Sequence, residues 1–186
     1  MAHRIKMDIT SLSSIQQAKK ELEQYRDNLK NKSREFVERL SVKGVVVARE
    51  NSGMFGSYLI FSQRTQRTVD EYRCVLYATE TGKVTREWKS IDDNGNPIIK
   101  TVDISPLLMT EFGSGFKAEN PKNVPDVGQG TFPDQKHAFD KNGWYYQTLD
   151  GVWHHSYGFE PTQPMLKAYN EMFNTIFETA REVFGG

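Results

Sequence analysis

Cysteine is nearly absent: Cys74 is the only one in 186 residues. No disulfide can therefore close within the chain, the fold has to rest on its core, and a reducing, intracellular site of synthesis is expected. Long apolar runs are missing as well. No stretch approaches the roughly 18–20 residues that a membrane-spanning helix needs. Residues 1–8 are polar where a signal peptide would carry an apolar block, so no membrane partner is expected. An excess of charge is also lacking, since 24 Lys+Arg face 24 Asp+Glu. That balance removes the electrostatic footprint of sequence-independent nucleic-acid binding. No repeat of 20–50 residues and no low-complexity tract is present.

What the chain does hold is enough to fold. Hydrophobic residues make up 37% and aromatic residues 12%, sufficient for one core in a single domain spanning residues 1–186. Residues 11–41 read as one long helix. Ser13 and Gln16, like Ser14 and Gln17, stand at capping-box spacing, and no proline interrupts the run. Ile15, Leu22, Leu29 and Phe36 recur every seven residues, with Ala18 and Tyr25 between them and Leu40 closing the row. This stripe is narrow on an otherwise charged rod, which points to burial of one edge only, against the domain's own sheet or a neighbouring subunit, the narrowness favouring the subunit contact.

After Gly44 the period changes, and residues 44–104 read as an antiparallel sheet. Val45, Val46, Val47 and Ala48 form one β-branched run, and Tyr58, Leu59, Ile60 and Phe61 another. Glu80-Thr81-Gly82 would join two further strands as a hairpin, and Asp93-Asn94-Gly95-Asn96 would turn into a last strand over 97–104. Residues 105–110 fit either a helical turn or an extended segment. Residues 116–142 form a long loop without periodicity, a length that is usually functional or ordered against something else. Residues 143–157 read as a hairpin around Asp150-Gly151. Residues 163–184 close the chain as an amphipathic helix with a broad apolar face. The expected class is α+β: a long N-terminal helix, an antiparallel sheet meander, and a C-terminal helix packed across that sheet.

Chemistry-bearing patterns are weak. His154 and His155 are adjacent on a predicted strand, so their imidazoles point to opposite faces and do not share an ion. His137 could join one of them, but no Cys, Asp or Glu stands at zinc-ligand spacing. Counted from Asp92, a calcium loop would need glycine where Pro97 stands and a bidentate Glu where Asp103 stands. Gly113-Ser114-Gly115 and Gly128-Gln129-Gly130 lack the following helix and Lys-Ser/Thr of a phosphate loop. Glu111, Asp134, Asp140 and Asp150 surround the aromatic segment as carboxylates of a glycoside hydrolase would; aromatics beside acids equally describe a wet protein interface. No catalytic residue, metal or cofactor is expected.

One pattern is more specific. Leu107-Leu108-Met109-Thr110-Glu111-Phe112-Gly113-Ser114-Gly115 is followed by Gly158-Phe159-Glu160-Pro161-Thr162-Gln163-Pro164-Met165, which leads into the closing helix. Together these resemble the tail-component, or neck, proteins of long-tailed phages. The segments Gly128-Gln129-Gly130-Thr131-Phe132-Pro133, Gly143-Trp144-Tyr145-Tyr146 and His155-Ser156-Tyr157-Gly158 look like the longer loop of relatives from phages of Gram-positive bacteria. Many members also carry a Pro-Val-Asp-Thr-Gly motif after the first helix; this chain has only Ser52-Gly53-Met54-Phe55-Gly56-Ser57. The resemblance implies a non-enzymatic morphogenesis protein in head–tail joining or tail completion. It would be made in the host cytoplasm and reside in the virion. It would form or join a ring around the DNA channel without reading sequence, and contact head-side connector and tail proteins. Glu111, Phe112, Gly113, Phe132, His137, Phe139, Trp144, Tyr145, Trp153, His155 and Tyr157 are the expected docking residues. A phage-encoded hydrolase using the His/Asp/aromatic region and a monomeric host-directed binding protein are the rival expectations.

Overall fold

A computed structural model describes residues 5–68, 71–82, 84–91, 94–115, 117, 141–147 and 150–185. Helix α1 (Leu12–Glu50) runs for 39 residues, about 58 Å at 1.5 Å per residue. Its cap is Ser11, whose hydroxyl accepts from Ser14 N–H at 3.4 Å, so Ser13 and Ser14 lie inside the first turn rather than capping. The leading residues fold back on this end, where Asp8 N–H donates to Ser14 Oγ at 2.8 Å. Thr10, through its N–H first and its hydroxyl second, holds the Asp8 carboxyl below the usual carboxylate range.

The helix does not stop at residue 41, and the expected strand over 45–48 is helical. Ser41, Gly44, Val45 and Ala48 are buried, a spacing of three and four that only a helix puts on one face. Packing therefore overrides the β-preference of three successive valines. Asn51 ends the helix, its side-chain amide donating to Val47 C=O at 2.8 Å.

A 3-10 turn (Gly53–Tyr58) leads to strand β1 (Leu59–Arg67), which pairs antiparallel with β2 (Tyr72–Glu80) from Leu59↔Glu80 to Arg67↔Tyr72. Alternation is regular in β2, where Cys74, Leu76 and Ala78 are half-buried and Val75 and Tyr77 are exposed. The core lies between this hairpin, the second half of α1 and the closing helices. Val45, Ala48, Leu59, Phe61 and Ala168 form its centre, with Leu76, Ala78, Leu107 and Met165 around them.

The expected hairpin about residues 80–82 is absent, because the strands on either side join different sheets. Strand β3 (Val84–Ile91) pairs with β4 (Pro97–Ile104). This sheet has the order β4-β3-β6-β7, where β6 is Trp144–Gln147 and β7 is Trp153–Ser156. The single meander is thus two sheets. The ambiguous segment is helix α2 (Pro106–Phe112), and β5 (Ser114–Gly115) pairs with β8 (Gly158–Phe159).

The C-terminal run is two helices, α3 (Pro164–Asn174) and α4 (Ile176–Phe184), broken at Thr175. They do not lie mainly across a sheet. Their most extensive packing is antiparallel along the second half of α1. Gly44 is the close-approach point, since an added Cβ would sit 2.8 Å from Met172 Sδ and 3.2 Å from Leu76 Cδ2. Farther along, Lys43 Nζ donates to Thr179 Oγ1 at 3.0 Å, Arg39 reaches Glu182 at 3.5 Å, and the Phe36 and Phe184 rings lie 5.9 Å apart. The pairing ends there. The α+β class stands, with α1 rather than a sheet as its spine.

Candidate functional site: an interlocked clamp and two exposed apolar surfaces

The stretches 107–115 and 158–165, far apart in sequence, meet in space. Both carboxylate oxygens of Glu111 accept backbone N–H groups from the first turn of α3, Met165 at 2.9 Å and Leu166 at 3.0 Å. Those donors are unsatisfied at any helix start, and a negative charge there also opposes the helix dipole favourably. Gln163 stands at the cap position in left-handed backbone (φ 53°) and supplies no side-chain cap, so Glu111 caps from a different helix. Thr110 C=O accepts from both Thr162 N–H and Gln163 N–H, at 2.9 and 3.1 Å. Ser114 Oγ accepts from Phe159 N–H at 3.1 Å.

Gly113 is required where these strands cross. Its φ is 72°, and an added Cβ would fall 2.5 Å from Phe159 O and 2.8 Å from Pro161 Cδ. A second carboxylate repeats the capping device one step earlier, where Glu80 Oε1 accepts from Leu107 N–H at 2.9 Å and from Ser105 Oγ. β2, α2 and α3 are thereby linked in series. Of the expected docking residues, Glu111 and Gly113 serve this internal clamp, and Phe112 is half-buried beside it.

Tyr145, Trp153, His155 and Tyr157 are brought together elsewhere. The register Tyr145↔His155 and Gln147↔Trp153 puts the β6 and β7 members on one face of the hairpin. Tyr145 stacks on His155 at 4.3 Å, and Tyr157 meets the same imidazole edge-on at 4.5 Å. His155 Nε2–H donates to Asn142 C=O at 2.6 Å, which holds the ring between the tyrosines. Tyr145 is 70% exposed, and Trp153 and Tyr157 are also open to solvent. The Asp150-Gly151 turn is as expected, with Gly151 at φ 87° and Asp150 Oδ1 accepting from Val152 N–H. His154, next to His155 along β7, faces the opposite side of the strand. Trp144 begins β6; Phe132, His137 and Phe139 lie outside the described residues, as does nearly all of the 116–142 loop.

Sequence reasoning missed a larger exposed surface. The broad apolar face of α3 and α4 holds two rows. Met165, Ala168, Met172, Thr179 and Val183 turn inward or lie half-buried. Leu166, Tyr169, Phe173, Ile176 and Phe177 form a second row that stays in solvent, with Phe173 65% and Phe177 77% exposed. The width of the face was legible, but not that only half of it would be covered. Along the first half of α1, Leu12, Ile15, Leu22, Tyr25 and Leu29 are likewise exposed; only the small Ala18 is buried, at 3%.

Among the described residues no group of three or more His, Cys, Asp or Glu is placed to hold a metal, and no helix is long and apolar enough to cross a membrane. An open cleft of about 330 Å³ is lined by Arg49, Ser52, Gly56, Leu59, Ile60 and Phe61, but Arg49 is turned to its own wall, donating to Phe61 C=O at 3.1 Å. Comparison with protein-family models, curated proteins and solved structures gives no match.

Proposed function

We propose that this chain is a structural assembly protein of a long-tailed bacteriophage. It acts at the neck or tail end, in head–tail joining or tail completion, by forming or joining a ring and docking against connector and tail proteins. The observation that carries the reading is the amount of ordered apolar surface left in water. It comprises a row on α3 and α4, a row on the first half of α1, and the aromatic face of β6 and β7. Monomers rarely expose contiguous apolar patches of this kind unless another molecule covers them. The clamp supports the same reading: the two stretches that resemble phage neck proteins interlock through Glu111, Thr110 and Ser114, as parts of a rigid scaffold. On this reading the aromatic face meets a protein neighbour, and no residue of it transforms a molecule.

The test is genetic. A phage with this gene stopped early is expected to accumulate separate heads and tails that join when the purified protein is added. Normal virion yield from the stopped gene, or virions from which the chain is missing, would contradict the proposal.

A further inference from the structure

The first half of α1 and the outer row of α3 and α4 fit one another, and we infer that the first half of α1 in one copy docks on that outer row in the next, head to tail. The inference deepens the proposed assembly role and rests on it. Its starting point is the path of α1. In the second half, Phe36 and Gly44 face α4 and α3 of the same chain. At about 100° per residue, Ile15, Leu22 and Leu29 stay within about 60° of Phe36 around the helix. The exposed row is therefore the continuation of the side that already receives a helix. It loses its partner because α4 ends beside Phe36. What fits that side is another surface of the α3–α4 kind, and each chain carries one unoccupied.

Leu12 to Leu29 spans about 26 Å and the outer row from Leu166 to Phe177 about 17 Å, taking 1.5 Å per residue, so the outer row is long enough to cover about two thirds of the α1 row. Charge separates this occupant from the obvious alternative, a second α1. Residues 12–34 hold six bases (Lys19, Lys20, Arg26, Lys30, Lys32, Arg34) against three acids (Glu21, Glu23, Asp27), a net of +3. Two such segments repel when paired. Residues 164–184 hold Glu171, Glu178 and Glu182 against Lys167 and Arg181, a net of −1. The contact inside the chain has the same polarity, with Arg39 of α1 on Glu182 of α4. A contact between two different surfaces of identical chains propagates and closes into a ring where the rotation allows.

The test uses the full chain with Cys74→Ser as background and Leu22→Cys with Phe173→Cys added, one near the middle of each row. Brief treatment with a short bis-maleimide should give a ladder of covalent dimers, trimers and larger species. Either cysteine alone should give little product, and an equimolar mixture of the two single variants should stop at dimer. A ladder that stops at dimer in the double variant, or Leu22→Cys cross-linking equally well by itself, would overturn the head-to-tail contact. So would a chain that gives no cross-link. Self-association without the ladder sinks this contact and leaves the assembly role standing; absence of the chain from virions sinks that role whatever cross-links form.

Discussion

Residues 12–34 and 35–50 belong to the same helix but live in different surroundings. The second half buries Ser41, Gly44, Val45 and Ala48 against β1, β2 and α3, whereas the first keeps Leu12, Leu22, Tyr25 and Leu29 in water. Composition follows environment. The packed half tolerates five valines and a glycine, poor helix formers held by tertiary contact. The open half is rich in Lys, Glu, Gln, Arg and Leu, which favour helix without such help. Ion pairs at i,i+4 (Arg39 to Glu35 at 2.6 Å, Arg34 to Glu38 at 3.7 Å) mark the boundary. One half is therefore built to hold this chain together, and the other is left to be covered.

Mutations should separate the halves by size of effect. Gly44→Leu forces a side chain into Met172 and Leu76 and should destabilise by about 3 kcal/mol, read from the urea midpoint; a loss as small as that of an exposed-row substitution would erase the distinction. Glu111→Ala leaves two α3 amides uncapped and should lose about 1–2 kcal/mol, without changing the aromatic hairpin. A double-mutant cycle on Phe36→Ala and Phe184→Ala, at the last contact before α1 runs free, should show coupling of about 0.5–1.5 kcal/mol. Zero coupling would move the boundary towards Gly44. Leu22→Ser should change the stability of the dilute chain by no more than about 0.5 kcal/mol.

How legible this was depended on whether local pattern and packing agreed. The seven-residue row of Ile15, Leu22, Leu29 and Phe36 announced α1, and Asp150-Gly151 announced the β6–β7 turn, because each signal is local. Val45 to Ala48 misled, since β-branched residues pointed one way and the spacing of Ser41, Gly44, Val45 and Ala48 the other; packing decided it. The division into two sheets was hidden because strand pairing is non-local: residues 80–82 look like a turn whether or not their flanking strands join. Glu111 and Gly113 were singled out as docking residues, and their partners, Met165, Leu166 and Phe159, lie some fifty residues away, so only the folded chain shows them as a clamp.

The most direct test is the mass of the full chain in solution across a range of concentrations, beside a Leu22→Ser, Phe173→Ser variant of matched stability. The account predicts that the unmodified chain grows to several times its 21.4 kDa as concentration rises, while the variant stays at one chain. A wild-type chain that remains at single-chain mass throughout, or a variant that associates equally well, would contradict it.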